Sequence, residues 1–394
     1  MHPARATISR MNPRVVLSVG NFFFSVCSTA TFYVLLPFLA QYMPAAYAGL
    51  VVALGAVIAL IVFLFLPALV AKFGAQQLAL LCAILEMLAF FALAAEPGAV
   101  AAVFLVAVTV AVEPLLAYEL DLLLEATVAE EGTTGRVRTL FLTAWNVAAL
   151  GAPLLMGALL DAGNAYGRVF LAAAGALVPF VVLFAARKLP SGRPPKLRRL
   201  RDTLLQVARM PDLAAVTYNH LLLYLFYVWA PLYIPLYLHN SLHIAWNDLG
   251  WMFALMLIPF VLIEYPAGWA ADNWWGDKEM MFAGFVIMGS ALALVGEITA
   301  ATPLLVILAV LLVSRVGAAL VESMTEGHFF RRVSEEDVEL VSVFRGIWPV
   351  SDLIAPVAGS LILFFGNFEI LFAVSGIFIA VTGVVATSFI RDFR

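Results

Sequence analysis

Twelve long apolar stretches limit the folds open to this chain more than any other feature. A helix needs about 20 apolar residues to cross the ~30 Å hydrocarbon core of a bilayer, and each stretch approaches or exceeds that length. Hydrophobic residues make up 64% of the 394 residues and charged residues only 12%, about half the charge of an average soluble domain. We therefore predict an all-α integral membrane protein with twelve transmembrane helices.

The positions of Lys and Arg predict how these helices are oriented. Nearly all of the 22 basic residues fall in segments that share one side of the membrane, and positive residues are retained on the cytoplasmic side. Both termini are therefore expected to be cytoplasmic, in a plasma membrane of the bacterial type. The longest basic loop divides the chain into an N-terminal tail at 1–14, a six-helix bundle at 15–187, a linker at 188–212, a second six-helix bundle at 213–390 and a tail at 391–394.

The basic linker leaves two interpretations open. Leu197, Leu200, Leu204 and Val207 recur at helical spacing among several basic residues. Such a segment can lie on the inner leaflet as an amphipathic helix that anionic lipids attract. It can also be a solvated connector between the two bundles.

Several functional classes are disfavoured by the composition and by the motifs found. The net charge of −4 gives no indication of a nucleic-acid partner. We find no Gly-rich phosphate-binding loop, no His-rich metal spacing and no convincing Ser-His-Asp set, so we predict neither an enzyme nor a bound cofactor or metal. Cys27 and Cys82 both lie inside apolar stretches, which argues against a disulfide framework.

The two halves of the chain match each other at an offset of 203 residues. The coinciding residues are a tryptophan, an Ala-Pro pair and a glutamate: Trp145 with Trp348, Ala152-Pro153 with Ala355-Pro356, and Glu119 with Glu322. Internal repeats of this kind are typical of membrane transporters. The matches favour two pseudo-symmetric six-helix halves.

One loop resembles a signature of the major facilitator superfamily. Gly268-Trp-Ala-Ala-Asp272-Asn-Trp-Trp-Gly276-Asp-Lys278 is similar to the family's G-x-x-x-D-R-x-G-x-K/R, with one extra residue and Asn273 in place of Arg. The corresponding loop of the first half keeps the basic residue and the glycine but has Ala71 where the family usually has Asp. The resemblance implies two bundles that rock about a central site, with a cytoplasmic gate formed by Lys72, Gly74, Gly268, Asp272, Gly276 and Lys278.

A second motif bears on the direction of transport. The run Gly151-Ala152-Pro153-Leu-Leu-Met156-Gly157 partly resembles the Gly-Pro-x-x-Gly-Gly signature of proton-driven exporters of this superfamily. A similar Ala-Pro bend at Ala355-Pro356 leaves close helix packing as the alternative. Export is therefore the preferred direction, with uptake left open.

Ionisable residues inside the second half are predicted to pair. Each costs ~2.5 to 3.5 kcal/mol at membrane depth on insertion scales. Arg315 and Glu322 share one face of the tenth span, and Arg345 and Asp352 share one side of the eleventh. Because these spans run in opposite directions, the depths match for Arg315 with Asp352 and for Glu322 with Arg345. These pairs either hold the two helices together or take part in proton coupling.

The spans of the first half contain acids but no basic residue. Glu86 and Glu113 lie near mid-membrane, so each must be protonated, reach water in a cavity, or borrow a cation. A proton carrier needs such a group. In the resembled family the fourth helix lines the central cavity, which makes Glu113 the preferred proton-coupling residue of this half.

Polar and aromatic residues occur where the family would place the wall of a cavity. Aromatic rings with a few hydrogen-bonding groups suit a small amphipathic or aromatic organic solute. Packing between helices is the alternative role for each of them. The predicted substrate-binding residues are Asn21, Ser25, Trp145, Asn146, His220, Tyr224 and Tyr227.

These observations predict a monomeric secondary active transporter that works by alternating access. Its expected partners are a small-molecule substrate, protons and membrane lipids, and proton-coupled export is the preferred activity. Proton-coupled uptake of a metabolite and carriage of lipids or lysolipids remain alternatives within the same fold.

Overall fold

A computed structural model describes residues 11–128, 134–161, 163–190, 200–333 and 337–391. Every regular element within these ranges is helical. Twelve helical segments are long and apolar enough to cross a membrane. The predicted all-α fold with twelve spans is thereby confirmed.

The helices of the first half follow the predicted apolar stretches closely. They are α1 (Pro13–Phe32), α2 (Leu35–Leu39), α3 (Ala45–Phe73), α4 (Ala75–Ala94), α5 (Ala99–Val128), α6 (Thr134–Leu160) and α7 (Tyr166–Ala186). Gly74 joins α3 to α4 with φ of +84°. Glycine adopts this left-handed backbone without strain, so the chain can turn sharply there.

The second half begins after a helix in the linker, α8 (Leu200–Arg209). Its further helices are α9 (Pro211–Pro235), which continues into a π-helical turn (Leu236–Ser241), α10 (Trp246–Leu255), α11 (Ile258–Asn273), α12 (Asp277–Val295), α13 (Leu304–Arg332), α14 (Val338–Arg345), α15 (Ile347–Phe365) and α16 (Phe368–Ser388). In α8, Val207 is buried and Leu204 is exposed. Leu197 lies outside the described residues.

Three of the apolar stretches are interrupted two to four residues before a proline. A proline lacks the N–H of a helical bond, and its ring clashes with the carbonyl four residues earlier. The breaks lie at 33–34 before Pro37, at 256–257 before Pro259, and at Gly346 before Pro349. Proline therefore explains why these spans are pairs of shorter helices.

The chain forms two compact units. The first comprises Met1–Pro44, Val51–Pro195 and Ala245–Ala254. In it α1 packs against α6 and α7, and α4 packs against α5 and α7. Phe180 and Phe184 of α7 are fully buried in its core.

The second unit comprises Ala45–Leu50, Lys196–Ile244 and Leu255–Arg394. In it α12 packs against α13 and α16, and α9 packs against α13, α15 and α16. A Cβ on Gly289 of α12 would lie 2.5 Å from the carbonyl oxygen of Gly376 on α16. Only glycine permits this close approach of two helix backbones.

Candidate functional site

Glu113 of the first unit is held by a hydroxyl group. The Oγ of Ser28 on α1 donates a hydrogen bond to the Oε1 of Glu113 on α5. The Glu113 residue is partly exposed. The hydrogen bond fixes the carboxyl in a residue that is only half-buried, and a group that exchanges a proton must be held in place in this way.

Two further acids of this unit are almost completely buried. Glu86 is 1% exposed and Glu119 is 0% exposed. The Oε2 of Glu86 and both carboxyl oxygens of Glu119 have no hydrogen-bond partner among the residues that the structure describes. Burial of a charged carboxylate without a partner is costly, so both acids are expected to be protonated.

Two cysteines lie between these acids. Cys27 on α1 is close enough to interact electrostatically with Glu86 and Glu113. Cys82 on α4 interacts in the same way with Glu86 and Glu119. The three acids therefore form a connected group inside the first unit, which we call the acidic row (Glu86, Glu113 and Glu119).

The predicted substrate residues of the first unit differ in their surroundings. Asn21 donates from Nδ2 to the carbonyl oxygen of Phe141 at 3.0 Å, and Ser25 donates to the carbonyl oxygen of Asn21 at 2.6 Å. Trp145 is partly buried against the core, and Asn146 is exposed. The two buried polar groups thus already have hydrogen-bond partners on the main chain, and a role in binding stays a prediction for all four.

Glu322 of the second unit is also held by a hydroxyl group. The phenol of Tyr227 on α9 donates to its Oε2 on α13 at 2.5 Å. Tyr224, one turn earlier on α9, is close enough to interact electrostatically with four charged residues: Glu322, Glu326, Arg345 and Asp352. The residues predicted to form this charged network therefore cluster around two tyrosines.

Arg315 adds a buried positive charge to this cluster. It is 3% exposed, and its guanidinium lies 4.7 Å from the centre of the Phe226 ring, in a cation–π arrangement. Its Nη2 also lies 3.9 Å from the sulfur of Met256. The proposed pairs of Arg315 with Asp352 and of Glu322 with Arg345 stay predictions.

Three aromatic rings form a continuous wall on α9. The ring of His220 contacts Tyr224 edge to face with centroids 4.7 Å apart, and Tyr224 contacts Tyr227 at 5.7 Å. His220 also stacks on Phe344 of α14 at 3.8 Å. The spacing of four and three residues therefore aligns the rings beside the charged cluster.

Comparisons with known proteins show what the chain resembles in sequence and in fold. The model of the Major Facilitator Superfamily matches residues 216–392. The nucleoside transporter NupG shares the fold with a TM-score of 0.74 at 12% identity, over 96% of this chain and 99% of that one. The second half of the chain thus matches the superfamily in sequence, and the whole chain shares the fold of its transporters. The resemblance inferred from the loop between the eighth and ninth spans is thereby confirmed.

Two further structures share the superfamily fold. The peptide transporter POT in complex with sulfate has a TM-score of 0.74 at 13% identity, covering 98% of this chain and 96% of that one. A bacterial homolog of the human lysosomal transporter Spinster, in an inward-facing and unoccupied conformation, has a TM-score of 0.70 at 11% identity, with coverage of 99% and 96%. No curated protein matches the chain in sequence.

The structure describes the contacts of only some residues in the superfamily loop from Gly268 to Lys278. Gly276 caps α12, and its N–H donates to Glu279 at 3.1 Å. Lys278 donates from Nζ to the carbonyl oxygen of Ser388 at 2.9 Å. Gly268 lies in α11, and the side chain of Asp272 lies outside the described residues. In the first half, the exposed Lys72 lies 5.0 Å from the ring centre of Phe73.

An ion-pair network next to this loop was not predicted. Asp277 accepts from Arg331 and lies 3.2 Å from the Nδ1 of His328. Asp212 lies 3.2 Å from the Nε2 of His328 and 2.8 Å from the Nε of Arg332. Both acids stand in the first turn of a helix, where the helix dipole favours negative charge. The position of both acids in the first turn of a helix is the sequence feature that could have indicated this network.

Glu264 on α11 is a second residue that the sequence analysis missed. It is close enough to interact electrostatically with Glu322 and Glu326. The signal was an acid within the eighth apolar stretch, which is rare in a transmembrane segment. The charged cluster of the second unit therefore contains four acids: Glu264, Glu322, Glu326 and Asp352.

Proposed function

We propose that the protein is a proton-coupled secondary transporter that exports a small amphipathic or aromatic organic solute. The observation that carries this proposal is Glu113. The residue is half-buried, its carboxyl is hydrogen-bonded to Ser28, and it forms no ion pair among the residues that the structure describes. A carboxyl in this setting can gain and lose a proton without losing a structural salt bridge.

The acidic row supports proton coupling further. Glu86 and Glu119 are buried in the same unit, and Glu86 is close enough to Glu113 to interact with it electrostatically. A single buried acid can be a structural accident that an inter-helix hydrogen bond stabilises. Three acids on two packed helices, two of them with unsatisfied oxygens, instead provide several proton-accepting groups at different depths.

The second unit supports an organic solute. The aromatic wall of His220, Tyr224 and Tyr227 offers ring faces, and Tyr227 holds the carboxyl of Glu322 beside it. Rings that flank a few charged groups suit a solute with both an apolar and a polar part. The structural relatives named as nucleoside and peptide transporters handle solutes of this mixed character.

We further propose that transport follows alternating access of the two bundles, with both termini in the cytoplasm of a bacterial-type cell and the protein acting as a monomer. The basic residues on the inner segments support this orientation. The partial exporter signature at Gly151 to Gly157 favours export over uptake.

Thermal stability of the purified protein against a panel of drugs and metabolites tests this proposal. A ligand at 100 times its dissociation constant stabilises the folded state by ~2.7 kcal/mol. For an exporter that exchanges solute for protons, a proton on Glu113 and the solute compete. The shift should therefore be smaller at pH 6 than at pH 8.

Variants identify the group responsible. The pH dependence should disappear in Glu113→Gln and persist in Glu96→Gln, which removes an exposed acid of the same unit. A larger shift at pH 6 than at pH 8 would mean that proton and solute bind together, as in uptake. A pH dependence that survives in Glu113→Gln would contradict the role of Glu113.

A further inference from the structure

An apolar groove runs between the first turns of α9 and the last turns of α16. Pro211, Ala214 and Tyr218 line one side of it, and Thr382, Val385 and Phe389 line the other. The groove has a volume of about 500 Å³. The hydroxyl of Thr382 donates to the carbonyl oxygen of Phe378 in its own helix, so the groove is almost entirely apolar.

Basic side chains surround one end of this groove. The Nζ of Lys278 lies 2.9 Å from the carbonyl oxygen of Ser388, the residue before Phe389. Arg332 donates from Nη2 to the carbonyl oxygen of Arg391 at 3.2 Å. These three cations stand where the helices are predicted to leave the membrane on the cytoplasmic side.

The acid at this end pairs with only one of the three cations, Arg332. Asp212 follows Pro211 and accepts from the backbone N–H of Arg391 at 2.7 Å. It also lies 2.8 Å from the Nε of Arg332. Its carboxylate is thus occupied by groups of the protein, whereas Arg391 is exposed and Lys278 is half-buried.

We propose that this groove binds one acyl chain of an anionic phospholipid, whose phosphate contacts Lys278, Arg332 and Arg391. A lipid has an apolar tail and a negative headgroup, and the groove offers an apolar trough with positive charge at one end only. Basic pockets between transmembrane helices on the cytoplasmic side recognise anionic headgroups in this way. A lipid bound here would connect α9 to α16 next to the ion-pair network of His328.

A second groove of the same unit provides a matched control. It has a volume of about 400 Å³, and its lining includes Leu255, Ile258, Leu262, Leu312 and Val316. Every residue that lines it is apolar. It can hold a lipid tail, but it offers no charge to select a headgroup.

Native mass spectrometry of the full chain in detergent tests the proposal. Phosphatidylglycerol and phosphatidylcholine are offered at equal concentration, and the bound lipid is counted. We expect phosphatidylglycerol to be retained preferentially. Lys278→Gln should weaken its binding about fivefold, because each basic residue near the membrane surface contributes about 1 kcal/mol, and leave phosphatidylcholine unaffected.

Filling the groove distinguishes this site from general lipid adhesion. Ala386→Trp or Ala214→Trp should abolish the preference for phosphatidylglycerol, whereas Leu262→Trp in the second groove should leave it unchanged. Lys278→Gln tests the same site without adding bulk, should a tryptophan impair folding. Equal retention of both lipids by the wild type, or an unchanged preference in the groove-filled variants, would overturn the proposal.

Discussion

The two units hold their central carboxyl groups with the same device but in different surroundings. Ser28 on α1 donates to Glu113 on α5, and Tyr227 on α9 donates to Glu322 on α13. These helices are equivalent in the internal repeat. Around Glu113 lie further acids and thiols, whereas the cluster of Glu322 includes Arg315 and Arg345.

This difference indicates a division of roles. A desolvated carboxyl without a cation is more stable in its neutral form, whereas a nearby guanidinium favours the charged form. We therefore expect the acidic row to carry protons and the charged cluster of the second unit to hold a fixed charge pattern for a solute. The repeat does not superpose the two carboxyls, because Glu322 matches Glu119 at the offset of 203 residues and Glu113 lies six residues earlier.

Removal of a buried cation should have the largest effect on stability. Arg315→Gln leaves the acid that we predict to pair with it, Asp352, without a partner. Removing one member of a buried ion pair costs about 3–5 kcal/mol. The free energy of unfolding should therefore fall by about that amount, and Asp352→Asn in the same chain should restore much of it.

Arg209→Gln is the control for Arg315→Gln, because it removes an exposed arginine of the same unit. It should leave the thermal midpoint nearly unchanged. If Asp352→Asn gives no rescue, the predicted pair of Arg315 with Asp352 is wrong and another group balances the arginine.

The hydroxyl groups that donate to Glu113 and Glu322 can each be removed, and the two losses of stability can then be compared directly. Tyr227→Phe should lower the free energy of unfolding by about 1.5–3 kcal/mol, because the lost hydrogen bond goes to a charged group. Ser28→Ala should cost only about 0.5–1.5 kcal/mol, since a neutral Glu113 makes an ordinary hydrogen bond. Equal losses in the two variants, measured by denaturation in the same detergent, would remove the distinction between the units.

The number of spans was predictable from the sequence because apolar length decides it. The interruptions were not, since Pro259 follows a break whereas Pro114 and Pro153 lie inside unbroken helices. The hydrogen-bond donor to Glu322 was not predictable, because matching depths in the tenth and eleventh spans pointed to Arg345 and gave no sign of Tyr227 on α9. Only the packing of the side chains in the structure shows that the tyrosine is the donor.

The predicted cytoplasmic gate shows a second limit of prediction from the sequence. The resemblance to the superfamily loop directed attention to Asp272, but the described ion-pair network is built on Asp277 and Asp212. The extra residue in the loop blurs the register of the motif. His328 bridges two acids from helices that lie 65 positions apart in sequence, which no local pattern reveals.

Glu113→Gln should abolish coupling without abolishing exchange. In proteoliposomes with a gradient of one pH unit, one proton exchanged for one solute molecule can sustain about tenfold accumulation, equivalent to about 1.4 kcal/mol. The variant should lose this accumulation but still exchange labelled for unlabelled solute across the membrane. Accumulation that persists in the variant would assign coupling to the charged cluster of the second unit instead.

Glu119→Gln should have the smallest effect and gives the sharpest test of how the two units differ. If Glu119 is neutral in its buried position, an amide of the same shape changes no charge, and the free energy of unfolding should change by less than about 1 kcal/mol. Glu322→Gln, at the equivalent position of the repeat, should cost more because it removes the acceptor of the Tyr227 hydroxyl and the predicted partner of Arg345. A large loss in Glu119→Gln would mean that this acid is ionised and paired with a cation. The candidates for that cation are Arg136 and Arg138, which follow α5 closely in sequence and whose side chains lie outside the described residues. They would be substituted first. A pair of either one with Glu119 would give the first unit the same charge balance as the second.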